Sequence, residues 1–451
     1  MRASVLVVLL LVLGLLWGGC ATYTDRMSEA HGAVDVGDFE SGVRELNEVL
    51  GVDCAEELPE RWSADRPLAV LERGMLQQVL GNYALSARDI SAAEEELEWL
   101  DLNPDTLGSI GEYIYSDSAG VYKASPTERL SLNALNMLNY LSVGDLPGAA
   151  VEARRFTVVR DYLETIDQGS HGVFGSYLAG FVFEQMGEAD RALRYYEEAL
   201  DAGDLAALRE PVVRLSARGR YRGGRLSEYL ENHDVSAPGK AEEMAVADEK
   251  QGDILLVFGL GRAPYKIPER IPVGAAVGIA GVVVGADPDI LKYSAAKVFV
   301  YPEMVGRENV MVGASVKVNG SEKSVELLTD LGAEVAREYE MIKPQIISAA
   351  IARVIARAAI AEGARAAGNQ DSKNLGVLAA LAAEATMVAL DRPDTRSWTF
   401  LPDRIYVSRM SLPAGMHTIE VNLSGRYPQR QTIELEVFPG EYSVIAVMDP
   451  R

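Results

Sequence analysis

The sequence predicts an α+β, multidomain chain. An N-terminal α-helical solenoid covers 20–235 and a linker 236–252, and a β-rich domain over 253–451 carries an Ala-rich helical insertion at about 325–390. Three observations predict it. Up to about residue 235, apolar residues recur at helical spacing in paired runs separated by Gly-Asp turns. From 253 onward the apolar runs shorten, several alternate with polar residues, and Asn-Gly and Pro-Gly turns divide them. Between the two, Ser236-Ala-Pro-Gly-Lys-Ala-Glu-Glu243 has the proline, glycine and charge content of a connection.

The first element is an N-terminal leader. Met1-Arg2 is followed by an apolar run over 5–16 and then by Gly18-Gly19-Cys20. That run is shorter than the roughly 20 residues that span a bilayer, so it reads as a secretory signal over 1–19. Its end resembles the bacterial lipobox, with Trp17 standing where that pattern prefers a leucine. The resemblance implies that Cys20 becomes the lipidated first residue of the mature chain, palmitate included. Ala21 follows it, not the aspartate that resembles an inner-membrane retention signal. The expected location is therefore the outer membrane, facing the periplasm.

Composition narrows the partners. The chain has 66 acidic and 43 basic residues, a net charge of −23, which argues against nucleic acid as a ligand and against an anionic bilayer as the main attraction. With Cys20 lipidated, Cys54 is alone and no internal disulfide is possible. Asp53, Glu56 and Glu57 beside it should raise its thiol pKa, so Cys54 reads as a semi-buried structural cysteine.

In the helical half the clearest unit is 177–200. A first helix ends at Gly187, and a second places Ala192, Tyr195, Tyr196 and Ala199 on its packing side. Small residues where two helices cross, with an aromatic filling the adjoining groove, resemble a tetratricopeptide repeat. The same grammar recurs around Gly144-Asp145 in 135–155, around Gly37 with Gly42 in the small position, and around Ala92 in 76–100. Spacing between units is uneven, so a degenerate array of about four repeats is expected. Arg218, Arg220, Arg222 and Arg225 cluster near its end, as candidate ligands for a partner's acidic groups or as counter-ions to the chain's own surplus acids. The histidines, at 31, 171, 233 and 417, show no metal-ligand spacing.

In the second half, strands are expected over 253–259, 297–301, 309–318, 404–408, 417–423, 432–437 and 442–447. In 418–423, Ile419, Val421 and Leu423 share one face, and Asn319-Gly320 and Pro439-Gly440 mark turns. A small antiparallel sandwich or sheet follows. Helical sequence over 325–366 and 375–390 should form a hairpin packed across it. The glycine-rich apolar run 271–286 has two readings, a buried element or a loop touching membrane or partner.

Several motifs carry a wider resemblance. These are Asp394-Thr-Arg-Ser-Trp398, Leu401-Pro402, the strand with Arg409, Leu412-Pro-Ala-Gly-Met-His417, Gly252-Asp253, the loop 259–266 and Val151-Glu-Ala-Arg-Arg155. Together they resemble a poorly characterised family of bacterial envelope lipoproteins. Its members join a tetratricopeptide-like N-terminal region to such a C-terminal domain. The resemblance implies periplasmic scaffolding, beside lipoproteins of the curli-secretion or cell-wall-synthase-activating kind. Residues 412–447 also look like short β-modules of bacterial surface proteins. Asp394, Arg396 and Trp398 are expected to form a polar latch, an ion pair over the indole that fixes the crossing from helix to strand.

Catalytic constellations are sparse. Gly259-Leu-Gly261-Arg-Ala-Pro264 lacks the third glycine of a dinucleotide fingerprint, and no phosphate loop, metalloprotease or nucleophile-elbow motif occurs. The expectation is a non-enzymatic scaffold without cofactor or metal, its partners envelope proteins and other lipoproteins. The alternative is a periplasmic module that binds or processes cell-wall or polysaccharide material through the repeat groove.

Overall fold

A computed structural model describes residues 22–99, 121–166, 171–232, 251–272, 298–347, 350 and 393–451. Its N-terminal part is helical and its C-terminal part is built mainly of strands. The helices are α1 (Tyr23–Arg26), α2 (Ser28–Asp35), α3 (Phe39–Leu50), α4 (Arg66–Val79), α5 (Tyr83–Glu96), α6 (Pro126–Ser142), α7 (Leu146–Ile166), α8 (Val173–Gln185), α9 (Ala189–Leu200), α10 (Arg209–Arg218) and α11 (Gly224–Asn232). A short parallel pair, β1 (Glu98–Trp99) and β2 (Lys123–Ala124), lies between α5 and α6.

Four antiparallel helix pairs, α2/α3, α4/α5, α6/α7 and α8/α9, share one turn. Each first helix ends on a left-handed glycine, Gly37, Gly81, Gly144 or Gly187, with φ of 80°, 77°, 77° and 77°. The residue after each glycine donates its N–H back to a carbonyl five positions earlier: Asp38 to Ala33, Asn82 to Gln77, Asp145 to Tyr140 and Glu188 to Phe183, at 2.8–2.9 Å. The glycine N–H takes the carbonyl three back, which completes a Schellman closure that satisfies the helix's orphan carbonyls. Inside a pair, glycine serves close packing instead. A Cβ on Gly180 would strike the Tyr196 ring, whereas one on Gly187 would meet nothing within 4 Å. Gly187→Ala should therefore cost only the strain of a left-handed alanine, ~1 kcal/mol, and Gly180→Val roughly 1–3 kcal/mol from overpacking. Thermal unfolding of the two variants measures the difference.

Beyond the β1–β2 pair, the described strands form two four-stranded sheets and a ribbon. The first sheet has the order β12 (Tyr442–Asp449), β3 (Gln251–Leu260), β9 (Arg404–Pro413) and β8 (Glu326–Asp330). The second has the order β11 (Gln429–Val437), β10 (Gly415–Gly425), β6 (Met311–Val318) and β7 (Ser321–Lys323). β4 (Tyr265–Pro272) and β5 (Val298–Val305) make an antiparallel ribbon. Asn319 and Gly320, with φ of 50° and 81°, turn β6 into β7 in the two-residue manner their sequence announces.

β3 explains how the layers stack. Ile254, Leu256, Phe258 and Leu260 point into a core with Met311, Val316, Ile419, Val421 and Leu423 of the second sheet. Leu255 and Val257, with Ile405 and Val407 of β9, point the other way into the core of the helices. A strand buried on both faces reads as the continuous apolar run seen over 254–258. The molecule is thus helices, sheet, sheet. The helical and strand regions share one core, so they are not separated by a solvated boundary. β12 packs on the first helices α4 and α6. Its Tyr442 meets the Phe181 ring of α8 at 5.7 Å, and Tyr83 at the start of α5 donates to its Ala446 carbonyl. Beyond the strand, the Arg451 guanidinium lies 5.6 Å from the Phe39 ring at the start of α3.

Several expectations need correction. β12 runs parallel to β3, because β10 and β11 carry the chain through the other sheet before it returns, so the sandwich is mixed and not antiparallel throughout. Residues 326–330 form the edge strand β8 and not the start of a helix. A helix, α12 (331–347), begins only where Asp330 accepts the Ala333 N–H. Cys54 is exposed and not semi-buried, although its thiol pKa is raised, as its acidic neighbours suggest, chiefly by a hydrogen bond with Glu56. The leader with Cys20, the linker up to residue 250, the run over 273–286 and the hairpin beyond residue 350 lie outside the described residues. No helix among the described residues is long and apolar enough to cross a membrane.

Candidate functional site

Two clusters of buried polar residues lie along the seam between the helices and the first sheet. The first surrounds an irregular strap, 393–403, that passes along α2, α4 and α6 before β9 begins. Its sequence dictates its burial. Trp398, Phe400 and Leu401 are each 1% exposed, and an apolar segment without a partner strand leaves backbone N–H groups to be satisfied by side chains. Two carboxylates from the helices do this. Glu128 of α6 accepts the Trp398 N–H at 3.3 Å, and Glu72 of α4 accepts the N–H groups of Thr399 at 2.6 Å and Phe400 at 2.8 Å. The Thr399 hydroxyl also bonds Glu72 at 2.6 Å and His31 Nε2 at 2.8 Å, so it links the carboxyl group to the imidazole.

Burial sets the charge state of these groups. It pushes Glu72 up to about 7 against the hydrogen bonds from Thr399 and Phe400. It pushes His31 down to about 4, assisted by Arg307 and Arg262. Glu128 is anchored four ways, by the Tyr122 hydroxyl at 2.7 and 2.8 Å, the Ser125 N–H at 2.8 Å and Trp398. Beside it Glu338 of α12 accepts the Thr127 N–H at 2.9 Å with Oε2, while its buried Oε1 has no partner among the described residues. Burial pushes Glu338 up to about 7 as well. The two glutamates line a cavity of about 50 Å³ with Tyr122, Ser125, Lys266 and Ser397, room for a water or two.

The expected latch is here, with one partner exchanged. Arg396 holds Asp394 through two bonds of 2.8 and 2.5 Å, and the pair is buried. Its guanidinium lies over the Tyr122 ring at 5.8 Å rather than over the indole, and its third bond, 2.9 Å, reaches Asp65 just before α4. Trp398 is core packing, and its indole N–H has no acceptor among the described residues. The latch therefore ties the strap to the helical region and does not merely fix a helix-to-strand crossing.

The second cluster lies at the other end of the seam. Arg409 of β9 and Asp253 of β3 share the helix-facing side of the sheet, at the end of the apolar row formed by Leu255 and Val257. Arg409 donates to Asp253 Oδ1 at 3.1 Å, to the Tyr196 hydroxyl at 2.9 Å and to Glu184 of α8 at 2.9 Å, above the Phe181 ring at 4.7 Å. Arg214 of α10 pairs with Glu184, and Gln185 donates to Asp253 at 3.0 Å. Burial opposes the charge on Arg409, but Asp253 and Glu184 more than offset it and hold its pKa well above the ordinary value. Two cations and two anions close on one another.

The arginine cluster is not gathered into a cleft. Arg225 is tied to the Leu200 carbonyl, Asp204 and Glu228, and Arg222 to the Ser216 and Tyr221 carbonyls, while Arg218 and Arg220 are exposed. Sequence reading missed Glu72, His31, Glu128, Glu184 and Glu338. The available signal was a charged residue interrupting an apolar helical run, as Glu72-Arg73 and Glu184 do.

No protein-family model matches the chain, and no curated protein matches it. Among solved structures it is similar to one titled "Crystal structure of MamA protein", at 12% identity over 49% of this chain and 86% of that one, with a TM-score of 0.26.

Proposed function

We propose that this chain is a lipid-anchored, non-enzymatic scaffold of the bacterial envelope, held to the outer membrane through Cys20. It presents a tetratricopeptide-like solenoid to protein partners in an assembly or secretion-type complex. The observation that carries this reading is the shared construction of the four helix pairs, one Gly-centred turn repeated, which is how repeat arrays build an extended binding surface. His31 of α2, Glu72 of α4 and Glu128 of α6 contact the strap and Phe181 of α8 contacts β12, which supports partner binding on the opposite side over the cell-wall alternative. The outward surface belongs to the second helices. On α7, Val151, Val158 and Tyr162 are exposed at i, i+7 and i+11, with Val158 at 70%.

Two measurements test the reading. Cross-linked extracts of solubilised membranes should give a stoichiometric protein partner with the wild type and lose it with Val158→Glu and Tyr162→Glu; recovery of none from the wild type defeats the scaffold. Cys20→Ala should move the folded protein from the membrane to the soluble fraction. A variant that stays membrane-bound would show that a lipid on Cys20 is not what holds it.

A further inference from the structure

We propose that Arg262 and Arg307 form a binding site for a tetrahedral oxyanion, a phosphate or a phosphoryl group. The site grows from the Gly259-Leu-Gly261-Arg motif, which the scaffold reading leaves without a role. Gly261, at φ 69°, turns the chain out of β3, and the Asn309 side chain closes on that turn. Asn309 Oδ1 accepts the Arg262 N–H at 2.9 Å and its Nδ2 donates to the Arg262 carbonyl at 3.3 Å. This fixes Arg262 against the loop before β6, which carries Arg307. The Arg262 side chain is buried, with the residue 7% exposed. Nη2 pairs with Asp35 of α2, whereas Nε and Nη1 have no acceptor among the described residues. Arg307 stacks on the Tyr265 ring at 4.0 Å, and its buried Nε also has no acceptor among the described residues.

Buried guanidinium N–H groups without acceptors are costly, and in most proteins a carboxylate fills them. This chain has a surplus of acids, a net charge of −23, yet among the described residues three donors on two neighbouring arginines are left open. The nearby groups do not close the gap. Asp35 already pairs with Nη2, Glu72 is committed to the strap, and His31 Nε2 is committed to Thr399. Burial, and then the repulsion of Arg262, push the pKa of Arg307 down to about 10, as two cations with too little anion between them require. The open donors belong to two separate guanidinia, so they suit an anion whose oxygens leave one plane and which can carry two charges. A carboxylate is matched to a single planar fork.

A free phosphate and a phospholipid headgroup supply the same chemistry, and the test separates them. The full-length Cys20→Ala protein is titrated with inorganic phosphate against chloride at equal ionic strength, by calorimetry and thermal unfolding. In parallel it is mixed with vesicles of phosphatidate and of phosphatidylcholine. Saturable binding of inorganic phosphate assigns the free anion, and binding only to phosphatidate vesicles assigns a headgroup. In either case Arg307→Gln should weaken the response at least tenfold, and Arg307→Lys should weaken it less. No response to either probe beyond the controls, or a response undiminished in Arg307→Gln, overturns the site. Neither result bears on partner recovery through α7, so this proposal and the scaffold reading fail independently.

Discussion

Arg409→Met should destabilise the protein by roughly 3–5 kcal/mol, the range for removing one member of a buried ionic cluster. The methionine packs over Phe181 about as well as the arginine stem, so the loss comes from charge. Glu184 and Asp253 remain in the seam with Arg214 alone, and the Tyr196 hydroxyl loses a donor. Thermal unfolding should show a fall in Tm of several degrees. Glu184→Gln combined with Arg409→Met should recover part of it, because the second change removes the charge that the first leaves unpaired. Equal losses from the single and double variants would mean that the cluster contributes packing and not electrostatics.

Raising the pH from about 5 to 8 should weaken the fold through its buried carboxyl groups. Glu72, Glu152 and Glu338 are each raised to about 7 from an ordinary 4.5. A raised folded pKa means the native state holds the proton more tightly than the unfolded chain. The stabilisation is then complete below about 4.5 and is lost as pH climbs through 7. Each fully buried group contributes up to about 3 kcal/mol of this swing. His31, lowered to about 4, works in the opposite sense, since its contribution is complete above 6.5 and is lost toward 4. Three carboxyls against one imidazole leave the downward trend dominant. Glu338→Gln isolates one share: an amide oxygen can still accept from Thr127, and the amide nitrogen faces the small cavity. This variant should match the wild type near pH 5 and exceed it near pH 8 in chemical denaturation; an unchanged pH slope would show that Glu338 does not titrate in this window. Glu72→Gln should be worse at both pH values, because both Glu72 oxygens accept N–H groups and one would be replaced by a donor.

The helix pairs were legible because their turns are local. A glycine followed by Asp, Asn or Glu at the end of an apolar run states the closure without reference to anything distant. Ala192, Tyr195, Tyr196 and Ala199 are all buried, as their spacing requires. The alternating strands were legible for the same reason, with Ile419, Val421 and Leu423 on the buried face of β10. β4 was hidden by Pro268, Glu269 and Arg270, which a two-stranded ribbon tolerates and a central strand would not. β8 was hidden because its five residues run directly into helical sequence. The seam was illegible for a different reason. The ion pair of Asp394 with Arg396 is local and readable, but Tyr122, Asp65, Glu72 and Glu128 reach the strap only after the sheet has docked on the helices. Partner identities of that kind are set by the tertiary arrangement and not by spacing.

The position of β12 bears on the order in which the protein can be completed. It is the last of the described strands, yet it lies across α4, α6 and α8 and adds to β3 in parallel. β3, β9 and the strap cover most of the apolar inner faces of those helices, and the share under Val444 and Met448 is covered only when β12 arrives. A chain emerging N-terminus first, whether from a ribosome or across a membrane, would carry an uncapped helical surface until 442–451 follow. Such long-range closure makes slow, all-or-none maturation the expected behaviour, with truncation of the final strand exposing that surface permanently.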